Sequence, residues 1–147
     1  MYRLTDLLSR GQSGLYLLTG TLRPIVIERL CRLKGVRLFR LDGISVLTKK
    51  RFLAVAARAF NFPGWFGANW DAFEDCVTDL EWVPASAYVV LLEDMEGFAA
   101  HSQPDFLTAL AILEAAAKFW SEQGIPFHVL VSEARTDSGF LPRVSAI

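Results

Sequence analysis

Asp71, Glu74 and Asp75, within WFGANWDAFEDCVTDL, form a cluster of carboxylates with no lysine or arginine among them. Spacings of three and four residues gather them on one face of a helix. Two kinds of chemistry use such a set: acid and base work on a sugar or phosphate, and display of negative charge to a cationic partner. Acid and base work needs company. No second carboxylate-bearing loop, nucleophile motif, phosphate-binding glycine loop or metal-ligand spacing accompanies these acids. Cys31 and Cys76 have no CxxC spacing, and His101 and His128 each stand without a second nitrogen or sulfur ligand nearby. No metal, cofactor or disulfide framework is expected, and the sequence reads as a binding protein rather than an enzyme.

The surrounding charge supports display. The net charge is −1, yet residues 1–50 carry +7 and the remainder −8. Between Arg58 and Lys118 there is no lysine or arginine, while ten acids lie there, from Asp71 to Glu114. Like charges three or four apart on a helix cost about 0.2–0.5 kcal/mol per pair. A helix selected for stability alone would interleave a lysine. An acidic face speeds encounter with a basic partner. The cations of the first third, by contrast, are scattered through helices and strands without interleaved aromatics, and read as solvated faces rather than a nucleic-acid site.

Asn69 is the expected N-cap of the acidic helix, with Asp71 in its first turn, where the helix dipole favours an anion. Trp70, Phe73, Val77 and Leu80 make its buried stripe, flanked by Ala72 and Cys76, and Asp71, Glu74, Asp75 and Thr78 share the opposite side. Gly64 and Gly67 bracket Trp65 and Phe66 in a tight loop that leaves at least one ring to solvent.

Elements that could hold this helix are legible on both sides. Leu15–Leu18 is a short apolar run. Pro24 opens a helix with Ile25, Val26, Leu30 and Leu33 as its apolar side and Gly35 as terminator. A strand follows over 36–41, with a turn at Asp42 and Gly43. Thr48 caps a helix burying Phe52, Val55, Ala56 and Ala59 while Lys49, Lys50, Arg51 and Arg58 stay wet, and Pro63 stops it. YVVLL (88–92) is apolar throughout, as a parallel strand covered on both faces should be. Ser102 and Asp105 resemble a capping box opening a long helix with Phe106, Leu110, Leu113, Ala117 and Trp120, closed by Gly124 and Pro126. Phe127–Val131 reads as the last strand, and 133–147 as loop. Alternating strands and helices imply an α/β fold with a parallel sheet. At 147 residues and 52% hydrophobic, one domain is expected, with residues 1–34 an appended strand and helix, 35–132 the core and 133–147 a tail.

WFGANWDAFEDCVTDL resembles the signature of the barstar family of ribonuclease inhibitors: an aromatic pair, Gly-x-Asn-x-Asp-Ala, then Asp-Cys. The resemblance extends to VRLFRLDG, TKKRFLAVAARAFNFP, TDLEWVP, YVVLLED and QGIPFHVLVS, about two thirds of the chain. It implies a three-stranded parallel sheet with helices packed on it, which the Leu15–Leu18 run would extend to four. It further implies an inhibitor that plugs the active site of a basic ribonuclease or similar cationic toxin, acids standing where substrate phosphates go. Asp75 matches the family's central carboxylate, which enters the phosphate pocket, and Asp71 its other helical acid. Trp65 takes the place of a tyrosine that packs on the nuclease, Thr78 that of a helical contact, and Trp82 with Val83 a Trp-Val pair beyond the helix. Gly67 and Asn69 match the turn and cap. Phe66 and Glu74 complete the implied partner-binding set. Two positions depart: Glu74 stands where the archetype has tryptophan, and Phe119 where a late helical glutamate contributes, so moved charges should select a nuclease with moved cations. The alternative is a non-inhibitory interaction or regulatory module with a different basic partner.

The start, MYRLTDLLSRGQSG, lacks the apolar core and cleavage site of a secretory signal, and no apolar run approaches the roughly 18–20 residues that span a bilayer. The expectation is a cytoplasmic protein without membrane or direct nucleic-acid partners.

Overall fold

The computed structural model describes residues 2–10, 12–19, 23–132 and 143–145. Their order is β1 (Tyr2–Arg3), α1 (Leu4–Arg10), β2 (Gly14–Thr19), α2 (Pro24–Leu33), β3 (Arg37–Asp42), α3 (Lys49–Ala59), α4 (Trp70–Val77), β4 (Tyr88–Glu93), α5 (Glu96–His101), α6 (Gln103–Glu122), β5 (Phe127–Ser132) and β6 (Arg143–Ser145). The strands form one sheet, β1-β6-β2-β5-β4-β3, parallel at every pairing. The expected fourth strand is present, since Leu15 to Leu18 of β2 lie beside Val129 to Ser132 of β5. Two short strands widen the sheet further. Arg143–Ser145, expected as loop, pairs with both β2 and β1, so β5 is not the last strand. The rest of the expected tail lies outside the described residues. Three residues are too few for a period-2 pattern to register, so β6 leaves no signal in the sequence.

β4 is buried along Tyr88–Leu92 and sits between β3 and β5, because its all-apolar sequence needs cover on both faces. One face packs Phe39, Leu41, Tyr88, Val90, Leu92, Phe127 and Val129 against α3, α4, α5 and α6. The other packs Leu38, Val89, Leu91 and Leu130 under Leu4, Leu7, Ile27 and Cys31 of α1 and α2. The turn after β3 needs Gly43: a Cβ there would sit 2.7 Å from the Glu93 and Asp94 carbonyl oxygens.

α3 is capped as expected, with Thr48 Oγ1 accepting from the Arg51 N–H at 3.2 Å, and Phe52 and Ala56 are buried, but Val55 and Ala59 are only half-buried and Leu53 is buried instead. α2 does not. Its buried residues are Ile27 and Cys31, whereas Ile25 and Val26 are exposed and Leu33 is 81% exposed. Apolar residues lie all round this helix, so periodicity admits two faces, and the sheet selects the one that meets Val89 and Leu91. The capping box of α6 is also not formed, because the Ser102 hydroxyl donates to the Leu47 carbonyl at 2.8 Å. α1 and α5, at seven and six residues, are too short for a periodicity argument. Among the described residues no helix is long and apolar enough to cross a membrane.

His128 occupies the α1 and α2 side of the sheet and is buried. Neither ring nitrogen has a hydrogen-bond partner of good geometry. Burial lowers its pKa from 6.5 to about 4, only partly countered by the Gln12 carbonyl, which accepts from the Tyr16 hydroxyl at 2.6 Å. The folded chain holds a neutral imidazole while the unfolded chain binds a proton below about pH 6.5. Stability from this group is therefore complete above pH 6.5 and falls by about 1.4 kcal/mol per pH unit until roughly pH 4. Urea melts at pH 7 and pH 5 should show this loss, and His128→Leu should flatten the slope.

Candidate acidic helix interface

The loop between α3 and α4 is built on aromatic stacking. Phe62 lies against Phe60, Phe66, Phe73 and Trp82, with ring centroids 4.8–6.2 Å apart. The Phe66 N–H closes a turn on the Pro63 carbonyl at 3.0 Å. With Phe66 turned inward onto Phe62, Trp65 is turned out, and it is 63% exposed.

Asn69 then caps α4: its Oδ1 accepts from the Ala72 N–H at 2.8 Å, and its Nδ2 donates to the Gly67 carbonyl at 3.4 Å. Gly67 leaves room for this, since a Cβ there would come within 3.3 Å of Asn69 Nδ2. Replacing Asn69 by alanine should cost about 0.5–2 kcal/mol, read as a lowered midpoint in thermal or urea melts. An unchanged melt would show the cap to be energetically idle.

Phe73, Cys76 and Val77 are buried and Trp70 half-buried, which turns Asp71, Glu74 and Asp75 to solvent. None of the three makes an ion pair among the described residues. The Lys49 ammonium lies 5.9 Å from the centre of the Trp70 ring, where it faces π density rather than a carboxylate. Burial first, then the charges of Asp79 and Asp75, push the Cys76 thiol up to about 11. That thiol is inert at neutral pH. Asp79, four residues beyond Asp75, thus adds to the negative field, although it is absent from the sequence-expected set.

The end of α4 is tied to its surroundings. The Trp120 indole N–H of α6 donates to the Val77 carbonyl at 2.8 Å, and that of Trp82 to the Phe60 carbonyl at 2.9 Å. The Thr78 hydroxyl donates back to the Glu74 carbonyl at 2.8 Å. Of the ten expected partner-binding residues, Trp65, Gly67, Asn69, Asp71, Glu74 and Asp75 are exposed, while Phe66, Thr78, Trp82 and Val83 are half-buried. Phe119, on α6 beside Trp120, is 38% exposed. The arrangement is an exposed, anionic ridge with an aromatic flank; no group of three or more metal-ligating side chains occurs among the described residues.

A family model described as Barstar (barnase inhibitor) matches residues 36–132. No curated protein matches the chain. Two solved structures of the Aeropyrum pernix ORC2 protein are similar in fold. The form with ADPNP and ADP gives a TM-score of 0.53 at 17% identity, over 88% of this chain and 37% of that one. The ADP form gives 0.53 at 19% identity, over 90% and 39%. This chain spans well under half the length of either, and at such identities the likeness concerns the fold alone.

Proposed function

The chain belongs to the barstar family, and from that premise we propose that it binds a basic ribonuclease and blocks its active site, the α4 carboxylates taking the positions of RNA phosphates. The observation that supports this reading is the lack of internal neutralisation among the described residues: Asp71, Glu74 and Asp75 are exposed, close together and without an ion pair there. Ribonucleases present lysine and arginine to phosphates, and carboxylates held in the same pattern meet the same field. The repulsion among the acids is relieved when those cations arrive, so strain in the free helix favours the complex. Trp65 supplies apolar area next to the charges, as interface cores require. Family members are inhibitors rather than enzymes, and the reading gives this chain no chemistry of its own. It also treats residues 1–147 as one folding unit, which β2 supports by lying inside the sheet between β6 and β5.

A second reading keeps the ridge and changes the target. Glu74 and the exposed Phe119 replace, respectively, an aromatic and an acid of the family pattern, which favours a basic protein other than the archetypal nuclease.

The test is an RNA-cleavage assay on a panel of basic ribonucleases with the purified protein added. Stoichiometric loss of cleavage is expected for at least one. Association with that nuclease should slow steeply as salt rises, while dissociation changes less; a salt-independent on-rate in stopped-flow mixing would contradict electrostatic capture.

A further inference from the structure

The arginines that look scattered in sequence converge at one end of the sheet. β3 is the terminal strand. The Arg37 and Gly43 N–H groups donate to the Ala87 and Glu93 carbonyls at 2.9 and 2.7 Å. In a parallel ladder alternate residues turn both main-chain groups to the same neighbour, so Leu38, Arg40 and Asp42 turn theirs away from β4, toward the open edge. A groove flanks this edge on each face of the sheet. On the α2 side it is lined by Arg32, Arg37 and Arg40 with Cys31 and Leu38. On the α3 side Arg40 recurs, joined by Arg51 and Arg58 with Val55 and Ile44.

Arg40 is neutralised by Glu28 at 3.1 Å and Glu93 at 2.9 Å. Arg32, Arg37, Arg51 and Arg58 have no ion pair among the described residues. Glu28 and Asp42 are the acids lining the two grooves, so the edge carries a clear cationic excess.

We propose that the β3 edge is a second docking surface, which takes an acidic, extended peptide segment of a partner protein as an added strand. The backbone of the segment would pair with the outward groups of Leu38, Arg40 and Asp42. Its side chains would alternate between the two faces, one set entering each groove, where acids meet guanidinium groups and small apolar residues meet Leu38 or Val55. A polynucleotide would use the arginines and leave the main-chain edge unpaired; the peptide uses both. The surface lies on β3, α2 and α3 and needs none of the α4 acids.

A fluorescein-labelled peptide of alternating glutamate and valine, titrated at low salt, tests this by anisotropy and amide hydrogen exchange. Binding is expected, with slowed exchange at the Leu38, Arg40 and Asp42 amides. The double variant Arg32→Glu, Arg58→Glu, both exposed and unpaired, should weaken binding by about tenfold or more, while Asp75→Ala leaves it unchanged. Three results would each overturn the proposal. An oligouridylate could bind as tightly without protecting those amides, which would make the edge a phosphate surface. A backbone N-methylated peptide could bind equally well, which would reduce the contact to charge. No binding of any probe would leave the arginines the task of keeping the edge unpaired.

Discussion

A chain lacking residues 1–34 is expected to lose cooperative folding. The deletion removes β1, α1, β2 and α2, and with them Leu4, Leu7, Leu8, Tyr16, Leu18, Ile27 and Cys31, most of the side chains that pack with Val89, Leu91 and Leu130 on that face of the sheet. Burial of each such side chain is worth about 1.5–3 kcal/mol, against a total stability of roughly 5–15 kcal/mol for a typical domain. The damage is compounded at the backbone. β5 loses its partner from Gly14 to Leu18, which exposes an apolar edge prone to pairing with other copies. Weakened near-ultraviolet dichroism, dye binding to exposed apolar surface and a broad urea transition are the expected signs. A sharp transition at the full-length midpoint would show residues 36–132, the span matched by the family model, to be self-sufficient and the extension an accessory.

Asp75→Ala should have the opposite profile, with little effect on folding and a large one on the complex. Asp75 is exposed and unpaired, and its loss relieves repulsion with Asp71 and Glu74, so stability should move by no more than about 0.5 kcal/mol. In the complex it would face cations in a pocket shaped for phosphate. Truncating one side of a buried, hydrogen-bonded charge pair costs about 2–5 kcal/mol, a range that rests in part on this same family. The corresponding loss is roughly 30-fold to several thousandfold in affinity, mostly in dissociation rate. Surface-based kinetics against the inhibited nuclease, beside urea melts of the two proteins, separate the profiles. Equal losses in both would return Asp75 to a structural role.

The α4 region was the most legible part of the sequence because several local signals agree there. Asn69 caps where a cap residue should, Phe73 and Val77 follow helical spacing, and the acids fall on the remaining side. The α2 face was misread for the opposite reason: with Ile25, Val26, Ile27, Leu30 and Leu33 all apolar, only packing on the sheet could choose among them. The capping box at Ser102 failed to a longer-range competitor, the Leu47 carbonyl. β6 and the convergence of arginines on the β3 edge depend on which strands become neighbours. That is a property of topology, and no window of sequence contains it.

Trp120 of α6 donates its indole N–H to the Val77 carbonyl at the close of α4, and Trp82, just beyond α4, donates to the Phe60 carbonyl at the close of α3. The close of α4, just past the carboxylates, is thus held by the scaffold as well as by the helix itself. Exposed residues on and beside this frame, such as Glu74 or Phe119, could be exchanged without re-solving the folding problem. Diversification would then proceed one side chain at a time on an unaltered frame.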